Sequence, residues 1–280
     1  MKRLLAVGFG DIVRRAAPRL ERGFVLTPLS RAVGCDLDRP ETLAFGAADA
    51  VLHCAPPPAH GETDSRTANL LAALEKGRIL PARMVYVSTS GVYGDCAGVR
   101  VDESRAPAPR TGRARRRLDA ERQLAQWCRS KEIALVVLRA PGIYAADRLP
   151  LARLRAGTPA LRAEDDVYTN HIHADDLAAI VARALDEDAA SGIYNASDDT
   201  EIKMGDWLDT VADRHGLPRP PRVSKEEATR RIPEPMLSFM GESRRLDNAK
   251  LKRVLGIRLQ YPTIFEGLRH EQPLGADQPA

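Results

Sequence analysis

Leu4-Leu5-Ala6-Val7-Gly8-Phe9-Gly10-Asp11-Ile12-Val13 decides the fold. The apolar run reads as a buried first strand, and residues 11–20 read as a helix. Two glycines join them. Glycine in such a turn lets the backbone come close to a pyrophosphate, and the helix start offers it free N–H groups. Gly8, Gly10, Asp11 and Ile12 are therefore candidate contacts for a dinucleotide. Two residues depart from that pattern. Val13 stands where a third glycine would allow tight helix–strand packing, and Asp11 puts an acid beside the phosphates. A plain strand–helix turn is the other reading of this stretch. Pro18 is expected to kink or shorten the helix.

On either side of this stretch, apolar runs alternate with helical patterns. Residues 24–29 read as a second strand despite Pro28, residues 33–36 as a brief one, and residues 50–54, 83–88 and 134–139 as buried strands. Residues 65–75 and 113–129 read as helices between them. This order predicts an α/β fold, a Rossmann-type doubly wound parallel sheet covered on both faces. After Pro150 the character changes to short helices, at 175–185, 205–215 and 248–255, the last stopping at Gly256. The expected organisation is a dinucleotide-binding domain over 1–150, a smaller C-terminal substrate lobe over 151–270 with segments returning to the sheet, and a polar frayed tail over 271–280.

Bulk properties narrow the class. The formal net charge is +4 and the sequence pI about 9.0, but the arginines are scattered and interleaved with acids. That pattern describes a solvated surface rather than a nucleic-acid footprint. The dense basic run is Arg113 to Arg117. Cys35, Cys54, Cys96 and Cys128 form no CxxC pair, so neither a metal site nor a redox motif is expected, and free thiols fit a cytoplasmic protein. No apolar stretch has the length of a membrane span. The second strand ends at Ser30-Arg31, without an acid to meet a ribose 2′-hydroxyl. A serine and an arginine suit a 2′-phosphate, which makes NADP the expected cofactor and NAD the alternative. Asp36 is a further candidate contact.

Val87-Ser88-Thr89-Ser90-Gly91-Val92-Tyr93-Gly94-Asp95 is the most specific segment. It resembles the extended short-chain dehydrogenase/reductase family, whose corresponding stretch reads Ser-Ser-x-x-Val-Tyr-Gly. The resemblance continues through residues 49–57, through Leu138-Arg139-Ala140-Pro141-Gly142-Ile143-Tyr144, and through His171-Ile172-His173-Ala174-Asp175-Asp176-Leu177. It extends to Tyr194-Asn195-Ala196-Ser197-Asp198 and to residues 261–268, and is strongest to small bacterial, atypical, epimerase/dehydratase-like members. It implies that Cys54, Ala55 and Pro56 flank the nucleotide, that Pro141 approaches the nicotinamide, and that Thr89 hydrogen-bonds a substrate oxygen.

The family's proton-transfer tyrosine and lysine would fall on Arg113 and Arg117. A guanidinium stays protonated and cannot shuttle a proton near neutral pH. Positions 113, 117, 120, 124 and 128 share one helix face, which directs the two arginines toward the cleft and leaves Arg115 and Arg116 on the solvated side. Arg117 can still bond a ribose, and Arg113 can clamp a carboxylate or phosphate. Tyr93, Tyr144, Tyr168, His171, His173, Asp95 and Cys96 are the other groups able to exchange a proton. Thr89, Arg113 and Arg117 are thus the candidate catalytic positions. Two functions follow. One is an NAD(P)-binding oxidoreductase or epimerase-like enzyme acting on a small polar or anionic metabolite, as monomer or homodimer. The other is a non-catalytic NADP-responsive binding or regulatory module.

Overall fold

The computed structural model describes residues 1–237 and 240–270. The expected tail over 271–280 lies outside the described residues. Strands β1 (Lys2–Val7), β2 (Phe24–Leu29), β3 (Ala50–His53) and β4 (Arg83–Thr89) join Ala134–Ala140 and Gly192–Asn195 in one six-stranded sheet. Its order is Gly192–Asn195, Ala134–Ala140, β4, β3, β1, β2, and every neighbour pair is parallel. The fold is α/β and doubly wound. Helix α1 (Asp11–Leu20), the helix Ala174–Ala184 and Leu251 to Leu259 cover one face. Helices α2 (Ser65–Lys76) and α3 (Gly112–Ser130) cover the other. The strand order reverses between β1 and β3, and crevices for ligands open there, above the carboxyl ends of the strands.

The expected strand at 33–36 is absent. The N–H groups of Val33, Gly34 and Cys35 turn back onto the carbonyls of Ser30 and Arg31, and the N–H of Asp36 goes to Thr42 Oγ1, so none is free for a ladder. Residues 31–33 form a 3-10 turn ending at Gly34, whose φ of 81° favours glycine. β2 is consequently the sheet edge, which is where Pro28, lacking an N–H, can be tolerated. Pro18 does not break α1, which runs through it and stops at Leu20. Val13, Ala16 and Leu20 are buried on its sheet-facing side.

Beyond Pro150 a separate apolar cluster forms around Leu151, Leu154, Trp207, Leu208, Val211, Ile264 and Leu268. Tyr144, which belongs to the strand Gly142–Tyr144 following the sheet, packs in the same cluster. No described helix is long and apolar enough to cross a membrane.

Candidate active site

The glycine loop is shaped by contact with the neighbouring strand end. Gly8 has a φ of 82°, and a Cβ there would lie 2.5 Å from the backbone nitrogen of Ala55. Only glycine lets the β1 and β3 loops approach this closely. Gly10 is different: a Cβ on it would meet nothing nearer than Gly8 O at 4.0 Å, so that side of the loop is open. Val13 is fully buried and packs in the sheet-facing core, so the loop accommodates the residue that replaces a third glycine. Asp11 does not stand bare. Its Oδ1 accepts from Arg15 Nε at 3.0 Å and its Oδ2 from Arg148 Nη1 at 2.9 Å. The two guanidiniums hold its carboxyl below the ordinary range, although burial alone would raise it.

Two cavities adjoin at the carboxyl edge. The smaller, ≈ 350 Å³, is lined by Gly8, Gly10, Asp11, Ile12, Val13, Cys54, Thr89, Arg113, Arg117 and Pro141, among others. The larger, ≈ 730 Å³, lies toward the C-terminal segments and includes Tyr144, Arg153, Tyr168, His171, Trp207, Glu242 and Arg244. Thr89, Arg113, Pro141, Ile143 and Arg148 line both and form the shared rim. The sequence-derived residues are thus brought together except Ser30, Arg31, Asp36, Ala55 and Pro56, which lie outside both linings. Ala55 touches the loop at Gly8, and the Pro56 carbonyl accepts from Arg66 Nη1 at 3.0 Å. Arg66 also forks onto Asp38, at 2.8 and 2.5 Å. Arg31 is exposed at the end of β2.

Helix α3 aims the arginines. Thr111 caps it, its hydroxyl accepting from Ala114 N–H at 3.2 Å. Ala120, Leu124 and Cys128 bury the expected face. Arg117, next on that face, donates Nη1 to Ala55 O at 3.2 Å, to the Tyr86 hydroxyl at 3.0 Å and to Val87 O at 3.0 Å. Its guanidinium also lies 5.6 Å from the Tyr86 ring centre. It ties the ends of β3 and β4 together. Burial pushes the neighbouring Cys54 thiol up to about 12 although Arg117 opposes this, so a neutral thiol faces the smaller cavity. Arg113 is exposed to the cleft rather than to open solvent on all sides. Burial first, and repulsion from Arg117 second, lower its pKa, while Glu242 raises it.

The solvated-face assignment holds for Arg115, which is exposed and pairs with Glu62, but not for Arg116. Arg116 is buried and donates to Gly61 O at 2.6 Å, because residues near 61 fold over the first turns of α3. The support beneath Thr89 is a buried trio that no motif in the sequence marks. Glu121 accepts from Ser88 Oγ at 2.5 Å and from Arg139 Nη2 at 2.7 Å, all three residues buried. Arg139 in turn lies 4.7 Å from the Tyr93 ring centre. The only advance sign was Glu121 itself, one helical turn after Arg117.

Several proton-exchange candidates are already engaged elsewhere. Tyr93 is buried and bonds Asn195 Oδ1 at 2.8 Å. Asp95 accepts from the N–H groups of Ser243 and Ala97, which help hold its carboxyl below the ordinary range. Burial pushes the Cys96 thiol up. His173 accepts from Asp175 N–H at 3.2 Å and packs 4.0 Å from the Tyr261 ring centre, outside both cavities. Tyr144, Tyr168 and His171 do line the larger cavity. Burial takes His171 down to about 3, so it is a neutral imidazole at physiological pH. No cluster able to hold a metal ion occurs among the described residues.

Residues 12–197, well over half the chain, match the model of the NAD dependent epimerase/dehydratase family. The chain belongs to this family. A search of curated proteins gave no match. Among solved structures, a functionally unknown conserved protein from Silicibacter pomeroyi is similar at 26% identity, covering 96% of this chain and 97% of that one, with a TM-score of 0.77. The protein RMD from Pseudomonas aeruginosa, complexed with NADPH, shares 21% identity over 96% and 97% of the two chains, with a TM-score of 0.74. A human epimerase family protein with NADPH shares 17% identity over 96% and 98%, also at a TM-score of 0.74. The last two likenesses are of fold.

Proposed function

We propose that this family member binds NADP(H) in the smaller cavity and acts on a small anionic metabolite in the larger one. The observation that carries the reading is the shared rim, where Thr89 and two arginines stand between a glycine loop and an arginine-rich cavity. The residues fit the dinucleotide. The open side of Gly10 leaves room for close approach, the start of α1 offers N–H groups, and Asp11 is neutralised by two arginines. Arg31 and Ser30, at the end of β2, suit a 2′-phosphate. The solved relatives with NADPH support the same cofactor.

When bound, the nicotinamide supplies or accepts hydride. The chain's own contribution is orientation. Thr89 Oγ1 accepts from Gly91 N–H at 3.2 Å, which leaves the hydroxyl proton available to a substrate oxygen. Arg113, Arg148, Arg153 and Arg244 line the larger cavity against one acid, Glu242, which selects for negative charge. Arg117 braces the sheet edge and leaves other guanidinium N–H groups for a ribose. No phenol stands at 113, so protonation of the substrate oxygen falls to another group.

The test is consumption of NADPH with carbonyl compounds that carry a carboxylate or phosphate, beside uncharged analogues. Turnover should favour the anionic set, and Arg113→Ala should raise KM for it selectively. Equal turnover of charged and uncharged compounds would remove the substrate reading. The arginines at 113 and 117 favour a second reading, a non-catalytic NADP-responsive module. Tight NADPH binding without hydride transfer to any carbonyl would support that one instead.

A further inference from the structure

Arg148 is the one rim residue whose charge comes from beyond the sheet and whose side chain is fixed on the glycine loop. It ends the short 3-10 turn Ala146–Arg148 that follows Tyr144, and lies 137 positions along the chain from Asp11, yet donates to Asp11 Oδ2 at 2.9 Å. Asp11 is the first residue of α1, the helix whose N–H groups face an approaching phosphate. A guanidinium bonded to that carboxylate is within reach of whatever the helix start holds. Arg148 uses Nη1 toward Asp11, and a guanidinium has further N–H donors in the same plane. It can serve a second anion without releasing the first.

Charge balance gives this contact a purpose. Arg15 holds the other oxygen of Asp11 but also pairs with Asp147 at 2.8 Å and Asp175 at 2.9 Å. Arg15 is thus shared among three acids, and Arg148 supplies the second cation on Asp11 at the loop side of the smaller cavity, which Arg113 and Arg117 line from α3. The larger cavity has Arg153 and Arg244 to itself, while Arg113 lines both. We propose that Arg148 is a pyrophosphate-binding residue, held over the loop by Asp11 and reaching the dinucleotide from the substrate side. The inference rests on the NADP(H) reading above. It assigns Asp11 a role as well: the acid anchors the arginine that cancels its own repulsion.

Calorimetric titrations separate the possibilities. The probes are NADPH and ADP-ribose, which contain a pyrophosphate, and adenosine 2′-monophosphate, which does not. Arg148→Ala should weaken NADPH and ADP-ribose at least tenfold and leave adenosine 2′-monophosphate within about twofold, as loss of one charge-assisted contact implies. Arg148→Ala combined with Asp11→Asn should recover part of that loss, because the uncompensated acid is gone. Circular dichroism and urea midpoints keep folding apart from binding. Unchanged NADPH and ADP-ribose affinity in a folded Arg148→Ala protein would overturn the inference while leaving the cofactor reading standing. Equal weakening of all three probes would also overturn it. Failure of the wild type to bind NADPH would sink both.

Discussion

Replacing Arg117 with alanine should cost more in stability than any ordinary surface change. The side chain is partly buried and donates Nη1 to Ala55 O, the Tyr86 hydroxyl and Val87 O at 3.0–3.2 Å. Tyr86 is fully buried and Val87 nearly so. Water cannot easily replace the lost donor at either. A net hydrogen bond from a charged group contributes about 1.5–3 kcal/mol, and contacts sharing one nitrogen do not add in full. The expected loss for Arg117→Ala is about 2–4 kcal/mol. Tyr86→Phe removes one partner only and should cost about 1 kcal/mol. Arg117→Lys keeps the charge and its N–H donors on an ammonium placed differently from Nη1, and should fall between wild type and alanine. Urea unfolding followed by the fluorescence of Trp127 and Trp207 reads all of these. The double variant Arg117→Ala with Tyr86→Phe should lose less than the sum of the singles. A change within about 0.5 kcal/mol for Arg117→Ala, the range of an ordinary surface site, would refute the bracing role.

Arg31→Ala should weaken NADPH at least tenfold and leave NADH nearly unchanged, since only NADPH carries the 2′-phosphate; equal losses in paired titrations would count against it. Val13→Gly should destabilise the fold by about 2–4 kcal/mol, from lost burial of a fully enclosed side chain plus the glycine cost in a helix, read as a lower urea midpoint. Asp198 is buried and burial pushes its carboxyl up to about 8 from an ordinary 3.8. A carboxyl raised in the folded state contributes fully below its unfolded value and loses that contribution as pH rises through the folded one. Wild type should therefore lose stability relative to Asp198→Asn between about pH 4 and 8, by up to a few kcal/mol. Parallel stability profiles for the two proteins across that window would show that Asp198 ionises normally.

Local patterns made much of this molecule legible. The glycine spacing after an apolar run located the loop, and the three–four step along α3 located the face carrying Arg117, Ala120, Leu124 and Cys128. Both signals are confined to one element, where periodicity records burial directly. Arg116 shows the limit. Its helical position said solvent, but a distant loop closes over it, and nothing in the periodicity of α3 registers that loop. The missing strand at 33–36 failed for a related reason, since its backbone donors are consumed by turns and by the Thr42 side chain. The Arg148–Asp11 and Arg66–Asp38 pairs join segments far apart in sequence, so only the folded chain brings them together.

NADP(H) binding in the crevice between β1 and β3 underlies every role assigned above. Amide hydrogen exchange with and without NADPH tests it most directly, because it reports where binding occurs as well as whether it does. Bound NADPH should slow exchange in residues 8–15, at the β3 loop around Cys54 and Ala55, and through the Val87 to Gly91 segment, with the Gly192–Asn195 strand unchanged. Slowing confined to other segments, or no change at saturating NADPH, would contradict it.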